Sequence, residues 1–285
     1  MSGRKCLSVS KRDNTVTQMA RIENMNEQAL SPTTALVTGA SRGIGAAIAL
    51  QLAERGLRLI LVARGQESLD QLAGSLPEAA TVDTLTVDLS ESDGASRLLQ
   101  LVSDREIDIL INNAGGAPNQ SFMETDADQL QRLIQLNVTA PTQLMHGLIP
   151  AMKARRRGRI LNVASMGAFH PVPGLAQYGA AKAYLLLLTE ALSEELRGSG
   201  ISLTALCPGV TRTELVAELP LEDLPEQLVK SPDYVARAGL EAMFNQEVVC
   251  VPGRLNQAAL AASKIPPRPV MRALGGLFQK WSNQR

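Results

Sequence analysis

The chain has 285 residues, 45% hydrophobic and 20% charged, with 28 basic side chains balancing 28 acidic ones. This is an ordinary soluble globular composition, long enough for one large α/β domain or two small ones. Zero net charge and 3% aromatic residues argue against a nucleic-acid partner, which would want a basic surface or stacking platforms.

Three scattered cysteines, Cys6, Cys207 and Cys250, make no disulfide framework and suit a reducing, cytoplasmic setting. No apolar run is long enough to span a bilayer. The first 30 residues are polar and lack the apolar core of a secretory signal. They read as a disordered extension. A mildly basic, serine-containing start also fits an organelle transit peptide, and Met19 and Met25 offer later starts.

From residue 33 onward strands and helices alternate. TTALVTGA (33–40) is a β-branched apolar run ending in glycine. GIGAAIALQLAERG (43–56) places Ile44, Ala47, Ile48 and Leu52 on one helix face and stops at Gly56. LRLILVAR (57–64) is a second strand, ESLDQLAGSL (67–76) a helix, ATVDTLTVDLS (80–90) holds a third strand, and ESDGASRLLQLVSD (91–104) is a third helix. IDILINNAG (107–115) is a fourth strand, and residues 126–156 form one long helix in which Pro141 predicts a kink. GRILNVAS (158–165) is a fifth strand, residues 175–198 a long helix and ISLTALCPG (201–209) a sixth strand. A helix over 231–244 and a short strand in EVVCVPG (247–253) complete the series.

Strands separated by helices imply right-handed crossovers and one parallel sheet covered on both faces. The near-continuous apolar strands LILVA and ILINN are what burial on two faces requires. The expected fold is a single doubly wound, Rossmann-like α/β domain over residues 31–253, followed by a tail over 254–285.

The first strand ends in TGASRGIG (38–45), with Gly39, Gly43 and Gly45 at the strand-to-helix turn. Backbone without Cβ can approach a pyrophosphate there, and the helix N-terminus offers free N–H groups. The end of the second strand usually carries an acid that holds the ribose 2′-hydroxyl of NAD. Here it carries Arg64, with Arg42 in the glycine turn. Two guanidinium groups suit a 2′-phosphate, so the expected cofactor is NADP(H). Tyr178 and Lys182 in QYGAAKA are four residues apart and share one helix face.

TGASRGIG, NNAG (112–115), Asn137, Ser165, Tyr178 with Lys182, and the PG pair 208–209 occur in that order. With these motifs over residues 33–253 the chain resembles the compact, single-domain branch of the short-chain dehydrogenase/reductase family. The resemblance implies that Gly39, Ser41, Arg42, Gly43, Ile44, Gly45 and Arg64 hold the phosphates of the dinucleotide. Asp88 and Leu89 would lie at the adenine, although Asp88 and Ser90 also read as helix N-caps. Asn113, Ala114 and Gly115 would pass close to the cofactor, whereas Asn112 reads as a structural bridge between strands. Gly209, Val210 and Thr213 would hold the nicotinamide carboxamide.

The resemblance makes Asn137, Ser165, Tyr178 and Lys182 the reaction centre, with Tyr178 and Lys182 also binding the cofactor. Ser165 would hold a substrate carbonyl oxygen, Tyr178 would protonate it, and Asn137 would support a water linked to Lys182. A free tyrosine titrates near pH 10; a neighbouring ammonium is expected to lower that value. The implied activity is reduction of a carbonyl to an alcohol with a small-molecule substrate. Alcohol oxidation in the reverse direction, a non-catalytic NADP(H)-binding regulator and a sugar-nucleotide epimerase are the alternatives. His146 and His170 lack metal-ligand spacing, and no metal is expected.

Phe122, Met123, Met166, Phe169, Val172, Leu175, Leu215 and Leu219 lie in segments expected at the carboxyl ends of the strands. Their apolar character points to a hydrophobic ketone or aldehyde, and the long third segment reads as a lid. The run KARRRGR (153–159) reads as a solvated basic loop. The tail, with Phe278 and Trp281 among basic residues, fits packing on its own domain or a neighbouring subunit, or peripheral membrane contact as a basic amphipathic helix. The family resemblance also implies a homo-dimer or tetramer.

Overall fold

The computed structural model describes residues 33–118, 120–213 and 229–263. The readings given for residues 1–30, for Leu215 and Leu219, for residues 214–228 of the segment read as a lid, and for residues 264–285 of the tail with Phe278 and Trp281 lie outside the described residues.

Seven strands form one parallel sheet in the order β3-β2-β1-β4-β5-β6-β7. They are β1 (Thr34–Thr38), β2 (Arg58–Ala63), β3 (Val82–Thr86), β4 (Ile109–Asn112), β5 (Gly158–Val163), β6 (Ile201–Leu206) and β7 (Val249–Cys250). The helices are α1 (Gly43–Glu54), α2 (Gln66–Ser75), α3 (Gly94–Leu101), α4 (Ala127–Ile134), α5 (Ala140–Ala154), α6 (Ala176–Glu195), α7 (Pro232–Phe244) and α8 (Arg254–Ser263). The strand order reverses between β1 and β4, which opens a crevice beyond their carboxyl ends.

The apolar strands are buried on both sides because side chains alternate across the sheet. In β1, Ala35 and Val37 enter a core layer with Ile48 and Leu52 of α1 and Val235, Leu240 and Met243 of α7. Leu36 points the other way, into a layer with Leu98 of α3, Leu144 of α5 and Leu185 of α6. Helix starts follow their sequence signals. Asp126 accepts from the Gln129 N–H (2.7 Å) ahead of α4, and Ser231 accepts from the Tyr234 N–H (3.2 Å) ahead of α7.

The long helix expected over 126–156 is interrupted differently from a simple proline kink. Residues Gln135–Thr139 form a π-helical turn between α4 and α5, and the Ala140 N–H reaches back to the Gln135 carbonyl. Pro141 sits in the first turn of α5. It has no N–H to give the Asn137 carbonyl, a loss that costs least at a helix start. The break therefore falls on the turn that carries Asn137.

Two polar networks fix the strand ends. Near the carboxyl ends, Asn112 donates to Asn162 (2.8 Å), and Asn162 donates to Thr189 of α6 (2.8 Å). The structural reading of Asn112 holds. At the opposite end, buried Asp108 accepts from the Thr34 N–H (3.3 Å) and from Arg157 (3.1 Å), with Arg155 at 3.7 Å. Arg156, at a φ of +52°, donates to the Gly198 carbonyl (3.1 Å). The basic run is thus largely built into the floor of the sheet rather than a free loop.

Replacing Asn162 by Ala strands the Asn112 amide donor in a dry interior, so Asn162→Ala should destabilise the fold by about 2–3 kcal/mol. Urea unfolding should show a lower midpoint at unchanged slope.

Candidate active site

The site lies at the carboxyl ends of β1, β4, β5 and β6. Beyond β1 the chain turns sharply, with Gly39 at φ +62° and Gly43 at φ +56°, conformations that suit glycine. A Cβ on Gly45 would stand 2.2 Å from the Gly39 carbonyl oxygen, so only glycine fits. Asn113 braces this turn, its Nδ2 donating to the carbonyls of Thr38 (3.0 Å) and Gly39 (2.9 Å). The Thr38 hydroxyl accepts from the N–H groups of Asn113 (3.0 Å) and Ala114 (3.1 Å). The ends of β1 and β4 are thereby locked together.

The turn fits a dinucleotide phosphate. Helix α1 starts at Gly43 with Arg42 as N-cap and no side-chain cap, which leaves its first N–H groups to an anion. Ser41 is half-buried in the turn, and Ile44 packs into the core beneath it. Across the crevice, Thr213 lies against the turn, with its Cγ2 3.2 Å from where a Cβ on Gly43 would be. Arg42 and Arg64 are both exposed, and Arg64 stands directly after β2 with no acid beside it. Gly65, Gln66 and α2 follow, with Gln66 tied to Thr84 (3.2 Å) and Thr86 (2.6 Å) of β3.

Asp88 follows β3 and folds back on its own loop, accepting from the N–H (2.8 Å) and hydroxyl (2.7 Å) of Ser90. Helix α3 begins later, at Gly94 after Asp93. Neither Asp88 nor Ser90 is its N-cap, a correction to one of the two readings of Asp88. Leu89 is buried in the core layer beneath this loop.

The residues expected at the reaction centre converge from three segments. Lys182 is only 4% exposed, and its Nζ donates to the Val163 carbonyl at the end of β5 (2.9 Å). Burial lowers its pKa to about 8. A Cβ on Gly115 would lie 3.1 Å from that Nζ and 3.0 Å from Asn137 Oδ1, so Gly115 is the thin wall between the two side chains. Asn137 is buried and engaged on both sides. It donates to the carbonyls of Gly116 (2.9 Å) and Leu133 (3.0 Å) and accepts from the Gly116 N–H (3.3 Å).

One helical turn before Lys182, Tyr178 is half-buried, with its ring centroid 5.7 Å from Nζ. The Ser165 side chain faces the phenol and favours its ionised form. Ser165 also accepts from the Gly167 N–H (3.1 Å), which starts a 3-10 turn over Met166–Ala168. Burial raises the Tyr178 pKa above 10, and Ser165 acts in the opposite direction. The lowering expected from Lys182 is not among the influences on the phenol in the chain itself. Spacing put the two on one face, but depth of burial governs the acidity.

Sequence reasoning missed Cys207. It is fully buried after β6, and burial pushes its thiol up to about 12, with the Ser165 N–H and Lys182 acting in the other direction. Cys207 packs with Ala164 and Leu186, whereas Cys250 packs on the α1–α7 layer, so the two thiols face different sides of the sheet. The signal was its place immediately before the PG pair. Among the described residues no cluster of His, Cys, Asp or Glu could hold a metal, and no helix is long and apolar enough to cross a membrane.

Comparisons with known proteins agree with this geometry. Residues 33–223 match the model of the short chain dehydrogenase family. The chain is 32% identical over 253 residues to the ketoacyl reductase HetN of a Nostoc species, covering 85% of this chain and 88% of that protein. It is similar to the solved structure of a short-chain dehydrogenase from Sphingobium yanoikuyae in complex with NADPH, at a TM-score of 0.73 and 36% identity, covering 82% of this chain and 96% of that one. It is also similar to the bulky-bulky ketone specific alcohol dehydrogenase from Comamonas testosteroni, at a TM-score of 0.70 and 34% identity, covering 83% and 95%.

The buried ammonium carries a stability cost. With a folded pKa of about 8 and an unfolded value near 10.4, the unfolded state binds more protons between those values, so stability rises with pH there. Lys182→Met should raise the thermal midpoint of the cofactor-free protein at pH 7. The gain should shrink as pH climbs from 8 toward 10.5, in scans across that range.

Proposed function

The chain belongs to the short-chain dehydrogenase/reductase family, and on that premise we propose that it is an NADPH-dependent reductase of hydrophobic ketones or aldehydes. The observation that carries the reading is Tyr178 beside Ser165 and one helical turn from buried Lys182, whose Nζ lies 5.7 Å from the phenol ring centroid. A regulator that only bound a dinucleotide would need no acid.

The bound nicotinamide would supply hydride to a carbonyl carbon. The chain's own residues handle the oxygen and the proton. Ser165 holds the carbonyl oxygen and Tyr178 donates the proton that turns it into a hydroxyl. Lys182 holds positive charge behind the phenol and stabilises the tyrosinate left after proton transfer. Asn137 and Gly115 set the wall at which that ammonium stops. Burial keeps Tyr178 protonated at neutral pH, which is the form an acid in the reductive direction needs.

NADPH over NADH is supported by Arg64 and Arg42 beside the glycine turn and by the NADPH complex of the similar Sphingobium protein. A bulky apolar substrate is supported by the exposed Phe122 (55%) and Met123 (88%) after β4, by half-buried Phe169, Val172 and Leu175 after β5, and by the ketoacyl and bulky-ketone names of similar proteins.

A carbonyl panel run with NADPH and with NADH tests the reading. Tyr178→Phe should lower kcat by at least about 100-fold, and equal turnover would overturn the acid assignment. Arg64→Asp should move the NADPH/NADH ratio of kcat/KM by about tenfold or more toward NADH. Better efficiency of the wild type with NADH would overturn the arginine argument.

A homo-oligomer through α6 is part of the proposal, supported by Leu187, which stands 65% exposed on that helix. Leu187→Arg should shift the mass measured by light scattering toward the monomer. An unchanged mass removes α6 from the interface.

A further inference from the structure

Helix α8 leaves β7 through Gly253, whose φ of +92° suits glycine. Its third residue, Asn256, is 8% exposed and lies against the turn after β6. A Cβ built on Gly209 would stand 2.7 Å from Asn256 Nδ2, 2.9 Å from Oδ1 and 3.0 Å from Cγ. The carboxamide occupies the space that a side chain at 209 would need. It is pinned there, with Nδ2 donating to the Pro252 carbonyl (2.8 Å) while the adjacent Gln257 donates to the Val251 carbonyl (2.9 Å).

The turn that Asn256 backs runs from the reaction centre to the glycine turn. At one end the Met166 N–H, next to Ser165, donates to the Pro208 carbonyl (2.8 Å). At the other, Thr213 lies against Gly43. Between them the Val210 carbonyl accepts from the Lys230 N–H (3.0 Å), and the Arg212 N–H donates to the Lys230 carbonyl (2.9 Å). The Lys230 side chain in turn packs over Gly253, its Cε 3.3 Å from where a Cβ there would lie. Gly209, Lys230, Gly253 and Asn256 therefore form one joint between α8 and the crevice.

We propose that Asn256 is a positioning residue of the cofactor site. Its carboxamide sets the height of the Gly209 peptide, and through it the reach of Val210 toward the nicotinamide end of the dinucleotide. The inference rests on the NADPH reading given above. Arg64 and the first N–H groups of α1, which Asn256 does not touch, grip the other end of the cofactor. Loss of Asn256 is therefore felt in catalysis more than in cofactor affinity, because a small misplacement of reacting groups costs rate steeply.

The test uses the full-length chain with Asn256→Gly, Gly209→Ala and the pair. Each is assayed for thermal midpoint, for NADPH binding through the emission of the bound reduced nicotinamide, and for kcat and KM on the best carbonyl of the panel. Asn256→Gly should lower kcat by about tenfold to a hundredfold, change the NADPH Kd by less than about threefold, and move the bound emission toward that of free NADPH. Gly209→Ala drives a methyl into the carboxamide and should lose at least as much. The pair should recover about tenfold or more over Gly209→Ala, since the glycine at 256 vacates the space. Should Asn256→Gly not fold, Asn256→Ser gives the same readings.

A kcat for the Asn256 variant within about twofold of wild type, an unmoved emission, or additive losses in the pair overturns the proposal and leaves the reductase reading standing. A wild-type chain that binds neither NADPH nor NADH overturns both.

Discussion

An ammonium held in the dry interior is the constraint around which this site is arranged. Lys182 meets the Val163 carbonyl and almost no water. A buried cation is costly without close acceptors, so its surroundings are narrow. Gly115 keeps its Cα side bare because a Cβ would press on both Nζ and Asn137 Oδ1. The π-helical turn delivers Asn137 to the same wall, with both its donor and its acceptor tied to Gly116. Cys207 completes the enclosure as a neutral thiol. Tyr178 then stands one turn away, with a cation at its back and a hydroxyl at its front.

The two ends of the sheet treat polarity differently, and the difference isolates that cation. At the carboxyl ends the buried polar groups are neutral amides and hydroxyls, running from Asn112 through Asn162 to Thr189. At the amino ends a buried carboxylate, Asp108, faces two arginines that remain partly open to water. Partial exposure keeps each of those pairs modest in strength. Removing a partner is the costly change, since it leaves Asp108 unpaired. The ionic network anchors the floor, and no carboxylate from it reaches Lys182. Its charge can therefore be directed at the phenol rather than neutralised.

Much of this was legible in the sequence. Each strand and helix expected between residues 33 and 253 is present, because double burial makes apolar strands conspicuous and the glycines mark the turns. Ser165, Tyr178, Lys182, Asn137 and Gly115 come together as their order implied. The rest depended on contacts that spacing does not carry. A π turn closes five residues back, so a helical period shows Pro141 but not the break at Gln135–Thr139. The arginines of the run 153–159 looked free because Asp108 lies far from them in sequence. Asp88 read as a helix cap until the position of α3 showed it holding Ser90 instead. Tyr178 looked acidified by its neighbour, since four-residue spacing reports a shared face and says nothing of depth.

That last difference bears on direction. In the chain by itself, burial of the phenol outweighs the influence of Ser165, so Tyr178 rests in its neutral form. Lys182, at about 8, rests mainly protonated at neutral pH. A protonated phenol in front of a charged ammonium is ready to give a proton, and the ammonium steadies the phenolate only once that proton has left. In the proposed reduction the stabilisation would be concentrated where charge develops, which is the arrangement that accelerates a reaction rather than merely tightening binding. Running the site as an alcohol oxidation begins from the opposite state, a buried phenolate. The chain alone disfavours that state, and it would depend on the positive charge of an oxidised nicotinamide to form. The resting protonation of this pair therefore suits the proton transfer proposed for a reduction, in which Tyr178 gives its proton to the carbonyl oxygen.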